Sequence, residues 1–309
     1  MGLSTDTIFV DTDQSLGTGR IRRLTRMRAA IKAYGPDLVV AHTATPAFYA
    51  RLAAPRATSV FCVLHSASDD FAWPIRRLAE RLLLLRTRGV IAASEGQRQS
   101  FARHFARYTR IRVIPPGVRL NLSARAVAGD VPSRVVTLAR VAEQKNPRLW
   151  LEIARGLASE APELKLEWWG PLSSDEPEMS RIVDEMQRTE NAQYRGPTSE
   201  PETVLNACDF VLHTADREAP GLTIMEAVAA GVPCICSEDA AKYLPRGIRP
   251  ITFVTGNAES ALAAIHELRS SWATVAQESI AAAGPIRSAY STRAMARAYL
   301  DAMGLPPKT

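Results

Sequence analysis

The chain has 309 residues, of which 46% are hydrophobic and 23% charged, as in an ordinary soluble globular protein. At about 150 residues per domain, this length favours two domains. Four cysteines in apolar runs exclude a disulfide-stapled framework and favour a reducing compartment.

The charge divides the chain into a basic part and an acidic part. Residues 1–130 hold 20 of the 38 basic and 9 of the 32 acidic residues, a net charge of +11, and residues 131–309 carry a net of −5. A basic half implies an anionic partner, such as a phosphate group or an acidic membrane surface. Nucleic acid is disfavoured because the basic residues are not interleaved with aromatic ones.

In the first half, short apolar runs alternate with helical patterns. Strands are predicted at TIFV, DLVVAH, SVFCVLH, GVIAAS and RIRVIP, and a helix at RIRRLTRMRAAIKAYG. The N-terminal residues lack the basic and apolar regions of a signal peptide, and the leucine run 82–85 is too short to span a membrane. The alternation predicts a parallel sheet with crossover helices.

The second half continues this alternation, with strands predicted at RVVTLA, LKLEWWG, QYRG, FVLHT, VPCICS and ITFV. Helices are predicted at PRLWLEIARGLASE and ESALAAIHELRS. The polar stretch 119–133 is interpreted as a linker. We therefore predict an α/β protein with two parallel-sheet domains facing a cleft, 1–130 and 131–287, and a C-terminal helix at 288–309. Ligands are expected in the loops that follow the strands.

Three short motifs fit a structural role better than a ligand site. Asp11 and Asp13 follow the first predicted strand and could chelate a divalent ion, but they are interpreted as a polar strand end. The GTG at 17–19 lacks the third glycine of a dinucleotide-binding motif. Cys234 and Cys236 have no second Cys/His pair at zinc-site spacing, which favours a buried strand.

Two histidines end predicted strands of the first half. His65 follows SVFCVL and His42 ends DLVVAH. At a strand end, either ring could bind a substrate hydroxyl or move a proton. A hydrogen-bonded structural histidine is the alternative for each.

The segment 74–88, PIRRLAERLLLLRTR, combines five arginines with a leucine face. It predicts either a peripheral membrane helix attracted by anionic lipids or a core-facing helix with a solvated basic side. The sequence leaves these two interpretations open.

Two pairs of charged residues lie in predicted strand-exit loops of the second half. Arg140 and Lys145 follow RVVTLA, where two fixed cations could neutralise a diphosphate leaving group, or could belong to a solvated loop face. Glu218 and Glu226 flank a helix start that suits a phosphate, and their carboxylates suit sugar and ribose hydroxyls. Thr223 and Glu226 also match a capping box, in which Glu226 only closes the helix start.

In this order, these pieces resemble a retaining GT-B glycosyltransferase of glycosyltransferase family 4. The Arg-x4-Lys loop at Arg140 and Lys145 and the Glu-x7-Glu element at Glu218 and Glu226 match the family's second domain. The segment ACDFVLHTADREAPGLTIMEAVAAGVPCICS is similar to its longest signature. PDLVVAHT, CVLHSAS, GVIAASEGQRQSF and RVIPPGV follow the order expected of its first domain.

The resemblance implies a UDP- or GDP-sugar as co-substrate and neither a cofactor nor a metal ion. Arg140 and Lys145 would hold the diphosphate, Glu226 the ribose and Glu218 the donor sugar. His65 would lie near the transferred sugar, which makes the implied catalytic set His65, Arg140, Lys145 and Glu218. The implied donor-binding set adds neighbours of these residues: Gly170, Arg195, Gly196, Thr198, Pro220, Gly221, Leu222 and Thr223.

The chain departs from the family pattern in three places. Ala219-Pro220-Gly221 stands for Gly-Phe-Gly, and the proline removes a backbone donor. LKLEWWGPLSS retains only Gly170 and Pro171 of a strand-Gly-x-Gly-Pro pattern. The opening strand and its Gly-rich loop are not recognisable, so we expect a shortened N-terminal domain, which abbreviation, a late start or a protein partner that completes the domain would explain.

The expected function is metal-independent, retaining hexosyl transfer in the synthesis of a polysaccharide or glycolipid. The acceptor would be lipid-linked or a growing saccharide. The location would be cytoplasmic and peripheral on the inner face of the plasma membrane. The alternatives are a nucleotide-sugar epimerase or phosphorylase on the same fold, and a non-catalytic nucleotide-sugar-binding or scaffolding subunit.

Overall fold

The computed structural model describes residues 19–65, 71, 73–118, 131–174, 176–218 and 220–306. The described residues within Met1–Ala93, Gln97–Ile114 and Tyr299–Thr309 form one compact unit, and those within Ser94–Gly96 and Pro115–Ala298 form another. The predicted strand at 7–10, the motifs at 11–13 and most of the predicted linker lie outside the described residues. The boundary at 130 therefore stays a prediction.

The first unit is built on a four-stranded parallel sheet in the order β1-β2-β3-β4. Its strands are β1 (Leu38–His42), β2 (Ser59–Leu64), β3 (Gly89–Ala92) and β4 (Ile111–Val113). The helices between and before them are α1 (Arg20–Tyr34), α2 (Ala44–Ala53), α3 (Pro74–Leu84) and α4 (Glu95–Phe105). Strand residues such as Val60 and Val90 pack with helix residues such as Ala50 and Phe101 in one buried cluster.

The second unit is built on a six-stranded parallel sheet in the order β10-β9-β8-β5-β6-β7. Its strands are β5 (Arg134–Leu138), β6 (Lys165–Trp169), β7 (Ala192–Gly196), β8 (Phe210–His213), β9 (Cys234–Ser237) and β10 (Ile251–Phe253). The strand order reverses between β5 and β8, which are hydrogen-bonded neighbours. Open sheets of this kind bind ligands at that reversal, beyond the carboxyl ends of the strands.

Helices cover both faces of the second sheet. They are α5 (Pro147–Glu160), α6 (Glu178–Arg188), α7 (Pro201–Asn206), α8 (Leu222–Ala230), α9 (Glu238–Ala241), α10 (Ala258–Ser270) and α11 (Trp272–Ala289). The last helix, α12 (Thr292–Met303), has no buried residue, and its end from Tyr299 belongs to the first unit. Neighbouring strand residues point to opposite faces. Val135 therefore packs with α5, α6 and α10, whereas Val136 packs with α7 and α8. Burial on both faces explains why the strands are continuous apolar runs.

The ten strands that the sequence predicts within the described residues are all confirmed, as are the helices at α1, α5 and α10. Residues 288 and 289 belong to α11, and the final helix begins at Thr292. No helix in the described part of the chain has the length and apolarity needed to cross a membrane.

A buried ion pair fixes α3 against α2. Arg51, which is 2% exposed, donates from Nη1 to Glu80 Oε1 at 2.6 Å and from Nη2 to Glu80 Oε2 at 2.7 Å. Its Nη1 also reaches the Thr87 hydroxyl at 3.3 Å, and its Nε donates to the carbonyl of Ala47 at 2.9 Å. The buried charges are therefore paired and hydrogen-bonded, as burial requires.

We expect Arg51→Met to lower the free energy of unfolding by about 3–5 kcal/mol, because it leaves the Glu80 carboxylate buried without a cation. Urea unfolding of the full chain measures this change. The control is Arg155→Met, which breaks the exposed Arg155–Glu185 pair and should cost less than about 1 kcal/mol. Equal losses of unfolding free energy in the two variants would show that the buried pair stabilises the protein no more than an exposed pair does.

Candidate active site

The loops after β5 and β8 form one structure at the carboxyl edge of the second sheet. Asn146, in the left-handed conformation with φ 48°, ends the first loop and caps α5 by accepting from the N–H of Leu149 at 3.0 Å. Four hydrogen bonds join the two loops: Thr214 Oγ1 to Lys145 O at 2.9 Å, Gln144 Nε2 to Arg217 O at 2.9 Å, Asn146 Nδ2 to Asp216 Oδ1 at 2.8 Å and Asp216 N to Gln144 O at 3.2 Å.

Three charged or titratable side chains meet between these loops. Lys145 Nζ forms an ion pair with Glu218 Oε2, and the two side chains are only 19% and 13% exposed. His213, at the end of β8, places Nε2 3.1 Å from the same oxygen. Its Nδ1 is buried without a hydrogen-bond partner in the described part of the chain. With a proton on Nε2, the ring donates a hydrogen bond to the Glu218 carboxylate.

Glu218 is held as a carboxylate. Burial alone would raise its pKa, but the hydrogen bond and charge of His213, followed by the charge of Lys145, outweigh burial and lower the pKa to about 2. Both partners use Oε2. No described residue donates to Oε1, so this oxygen can accept a hydrogen bond from a ligand.

The start of α8 is open. Its N-cap residue is Gly221, with φ 72°, and no side chain caps the helix. The Thr223 hydroxyl donates instead to the carbonyl of Leu138 at 2.9 Å, at the end of β5. The predicted capping box is therefore wrong, because Thr223 lies inside the first turn rather than at the N-cap. The first N–H groups of α8 bond to no other described residue, which leaves them available to an anion.

Glu226 is half-buried on α8 and has no hydrogen-bond partner among the described residues. Burial raises the pKa of its carboxyl to about 6, with a smaller contribution from the charge of Glu202. A carboxylate kept in this environment without donors destabilises the protein unless a ligand supplies them. This arrangement is typical of a binding residue.

Gly170 sits where the end of β6 passes the loop that carries Arg140. A Cβ on Gly170 would lie 2.0 Å from the carbonyl oxygen of Ala139, and the φ of +147° also disfavours other residues. Gly221 is confined too, because its Cβ would lie 2.7 Å from Leu244. Arg140 itself is exposed, and it makes no ion pair or side-chain hydrogen bond with another described residue.

The side chain of Arg195 contacts Glu167 rather than the residues of the loops after β5 and β8. Its Nη2 donates to Glu167 Oε1 at 2.7 Å, and Arg134 Nη2 donates to the other oxygen of Glu167 at 2.7 Å. The Thr198 hydroxyl accepts from the N–H of Glu200 at 3.0 Å. Among the remaining residues of the donor-binding set, Pro220 is buried, Leu222 is 44% exposed and Gly196 has a φ of +78°.

In the first unit, His42 and His65 form a pair at the ends of neighbouring strands. His42 Nδ1 lies 2.8 Å from His65 Nε2, and the rings stack with centroids 5.1 Å apart. Burial lowers the pKa of both imidazoles, and the charge of His42 lowers that of His65 further. Both rings are therefore neutral at pH 7. Thr43 follows with φ 69°, a strained conformation for a β-branched residue.

The sequence analysis missed His213, Gln144 and Asn146. His213 ends an apolar strand just as His42 and His65 do, so the same pattern could have identified it. Cys234 and Cys236 lie in β9, as predicted, and burial raises the pKa of Cys236 to about 12. The described residues contain no group of three or more His, Cys, Asp or Glu side chains arranged to hold a metal ion.

Family models match the chain along most of its length. The Glycosyltransferase Family 4 model matches residues 11–122, and the Glycosyl transferases group 1 model matches residues 123–283, just over half of the chain. Together with the two parallel sheets, these matches define a glycosyltransferase with the GT-B fold. The chain belongs to the glycosyl transferases group 1 family, which confirms the predicted family and fold.

Several relatives share this architecture. EpsF of Bacillus subtilis, described as a glycosyltransferase, is 25% identical over 84% of this chain and 71% of its own. HepE of Anabaena, solved with UDP and glucose, superposes with a TM-score of 0.78 at 17% identity, over 93% of this chain and 83% of its own. TarM superposes with a TM-score of 0.72 at 16% identity, and the match covers 91% of this chain and 58% of the TarM chain. At these identities the two solved structures support the fold.

We expect Glu226→Gln to stabilise the protein at neutral pH. The carboxyl has a pKa of 4.5 before folding and about 6 in the folded chain, so the folded state loses stability as pH rises through this window. The variant removes that penalty and should gain about 1 kcal/mol above pH 7, less than the full linkage value because the side chain keeps part of its hydration. At pH 4 the gain should vanish. Urea unfolding at several pH values measures it.

The control for this measurement is Glu152→Gln, at an exposed position of α5, which should change stability by less than about 0.5 kcal/mol at every pH. If Glu226→Gln destabilised the protein throughout the pH range, Glu226 would be a structural residue of the helix.

Proposed function

We propose that this glycosyltransferase moves a hexose from a UDP- or GDP-sugar to a lipid-linked or saccharide acceptor. Transfer retains the anomeric configuration and uses no metal ion in catalysis. The observation that carries the proposal is the cluster of Lys145, Glu218 and His213 at the reversal of strand order, together with Arg140 and Glu226, which have no side-chain partner among the described residues.

The diphosphate of the donor is proposed to bind Arg140 and Lys145. Arg140 is exposed in the same loop as Lys145, and the open N-terminus of α8 adds backbone N–H groups and the positive end of the helix dipole. Positive charge fixed here stabilises the negative charge that develops on the diphosphate as the glycosidic bond breaks. Two cations and a helix start can supply this stabilisation from the chain's own groups.

Glu226 is proposed to bind the ribose. Its carboxylate lacks donors in the described structure, and two neighbouring ribose hydroxyls would supply them. The solved HepE complexes contain UDP, and HepE is similar to this chain in fold, which is consistent with a nucleotide donor. The nucleotide base is proposed to lie near Gly170 and the stretch 195–198.

Glu218 is proposed to bind the donor sugar through Oε1. His213 and Lys145 both engage Oε2, so the carboxylate is fixed in orientation while its second oxygen can accept a sugar hydroxyl. The pKa near 2 keeps it ionised throughout the physiological range. His65 is proposed to bind a hydroxyl of the transferred sugar through its neutral ring. The enzyme is proposed to work in the cytoplasm, on the inner face of the plasma membrane.

Titration calorimetry with UDP and GDP tests the donor site. At least one should bind, and Lys145→Ala should weaken it by about 10- to 100-fold, the loss expected for a charge-assisted hydrogen bond. Lys165→Ala, at the opposite, amino end of β6, should leave affinity unchanged. Equal affinities of the wild type and the two variants would remove Lys145 from the diphosphate site.

The stereochemistry of transfer is tested separately. In a transfer assay, a product of inverted anomeric configuration by NMR would contradict retention.

His213→Leu should lower kcat with a nucleotide-sugar donor by about tenfold, with a smaller change in KM, because Glu218 loses the donor that orients it. His213→Gln should restore much of the rate, since the glutamine amide can reach the same oxygen. Loss of His213 should also raise the pKa of Glu218 and move the acid limb of the pH–rate profile upward. Identical rates and profiles for Leu and Gln would show that His213 only fills space.

A further inference from the structure

The outer side of α3 carries large apolar side chains in water. Trp73 is 67% exposed, Ile75 77%, Leu78 60%, Leu82 62% and Leu85 81%. Ile75, Leu78, Leu82 and Leu85 are termed the apolar stripe, and Trp73, the exposed N-cap residue of α3, precedes it in sequence. Single exposed apolar residues are ordinary, but a contiguous row of this size marks a surface that contacts something other than water.

The stripe faces away from the core. At 3.6 residues per turn, Ile75, Leu78 and Leu82 fall within a sector of about 60°. The buried residues of α3 lie on roughly the opposite side of the helix, and they are Glu80, Leu83 and Leu84. The core-facing interpretation is therefore confirmed for Leu83 and Leu84, whereas Leu78, Leu82 and Leu85 face the solvent.

The Arg51–Glu80 pair fixes this orientation. A rotation of α3 that buried the stripe would carry Glu80 away from Arg51 and leave the guanidinium buried without its carboxylate. The same rotation would expose Leu83 and Leu84, which are buried now, so the apolar area gained on one side of α3 is offset on the other, while breaking the buried pair is strongly destabilising. The buried ion pair therefore holds the apolar stripe in the solvent.

Positive charge lies along one edge of the stripe. At 3.6 residues per turn Arg81 and then Arg77 follow that edge, whereas Arg76 lies farther round the helix. None of the three pairs with a carboxylate among the described residues. Elsewhere in the same unit, α1 carries five arginines and Lys32 with no acidic residue along its length, which adds to the positive charge of the unit as a whole. An apolar face beside unpaired arginines is complementary to a bilayer with anionic headgroups.

We propose that the apolar stripe of α3 is a membrane-docking surface, which enters the headgroup boundary of an anionic bilayer while Arg77 and Arg81 bind lipid phosphates. A helix of this length is about 16 Å long, so it lies in the plane of the interface rather than across the bilayer. A second copy of the chain fits less well, because a symmetric contact would bring the same arginines together.

Vesicle flotation with the full chain tests this surface. The protein should float with phosphatidylcholine vesicles that contain phosphatidylglycerol, much less with phosphatidylcholine alone, and less at high salt. Leu78→Ser with Leu82→Ser should lower the bound fraction about tenfold or more, since less apolar area enters the bilayer. The control, Val254→Ser with Leu305→Ser, removes exposed apolar side chains elsewhere and should bind like wild type.

Trp73 reports on the contact directly. Trp150, Trp168 and Trp272 are buried, and Trp169 is partly buried in the second unit. A blue shift of the emission on adding anionic vesicles should therefore come mainly from Trp73, and its disappearance in Trp73→Phe assigns it. Thermal unfolding of each variant without vesicles shows whether it folds. These measurements use no nucleotide sugar, so their outcome is independent of the transferase proposal.

Three outcomes would overturn the docking surface. One is wild-type flotation that does not depend on the anionic lipid. Another is equal binding by folded Leu78→Ser/Leu82→Ser and wild type. The third is concentration-dependent self-association that the serine variant abolishes, without vesicle binding, which would assign the stripe to a second copy of the chain.

Discussion

The second unit depends on the contact between the loops that follow β5 and β8. Lys145 and Glu218 are separated by more than seventy positions in sequence, yet the reversal of strand order makes their strands neighbours. Backbone and side-chain hydrogen bonds lock the loops together, so that the ion pair forms in one geometry. A site built this way is preorganised, because the sheet and the loops hold the charged groups in position before a ligand binds.

The site differs from the buried ion pairs of the protein in how its charged groups are satisfied. Arg51, Glu80 and Glu167 are buried or half-buried, and each has charged partners at short distance. Glu226 and the first N–H groups of α8 lack partners within the described residues. Such groups lower stability, and a ligand that satisfies them recovers that free energy as affinity.

Periodicity and strand-ending residues were enough to locate the strands and both charged loops. The apolar runs are long because each strand is covered on two faces, which gives a signal that a single sequence carries. The capping box was wrong because Thr223 finds a better acceptor in Leu138, a residue far away in sequence. The rotation of α3 was left undecided for the same reason, since it depends on the contact of Glu80 with Arg51. His213 fits the strand-end pattern of His42 and His65, but its contact with Glu218 is not visible in that pattern.

Buried charge therefore has two different uses in this chain. At Glu218, neighbouring donors stabilise an ionised carboxylate and direct one of its oxygens outward. At Glu80, a matching guanidinium fixes the rotation of a helix, and the consequence appears on the opposite side of that helix as exposed leucines. Replacing such a pair by apolar residues is often neutral for stability. A requirement for stability therefore does not explain why a buried ion pair, rather than apolar residues, joins α2 and α3. The rotation of α3 that the pair fixes, and the exposed apolar stripe that results, do explain it.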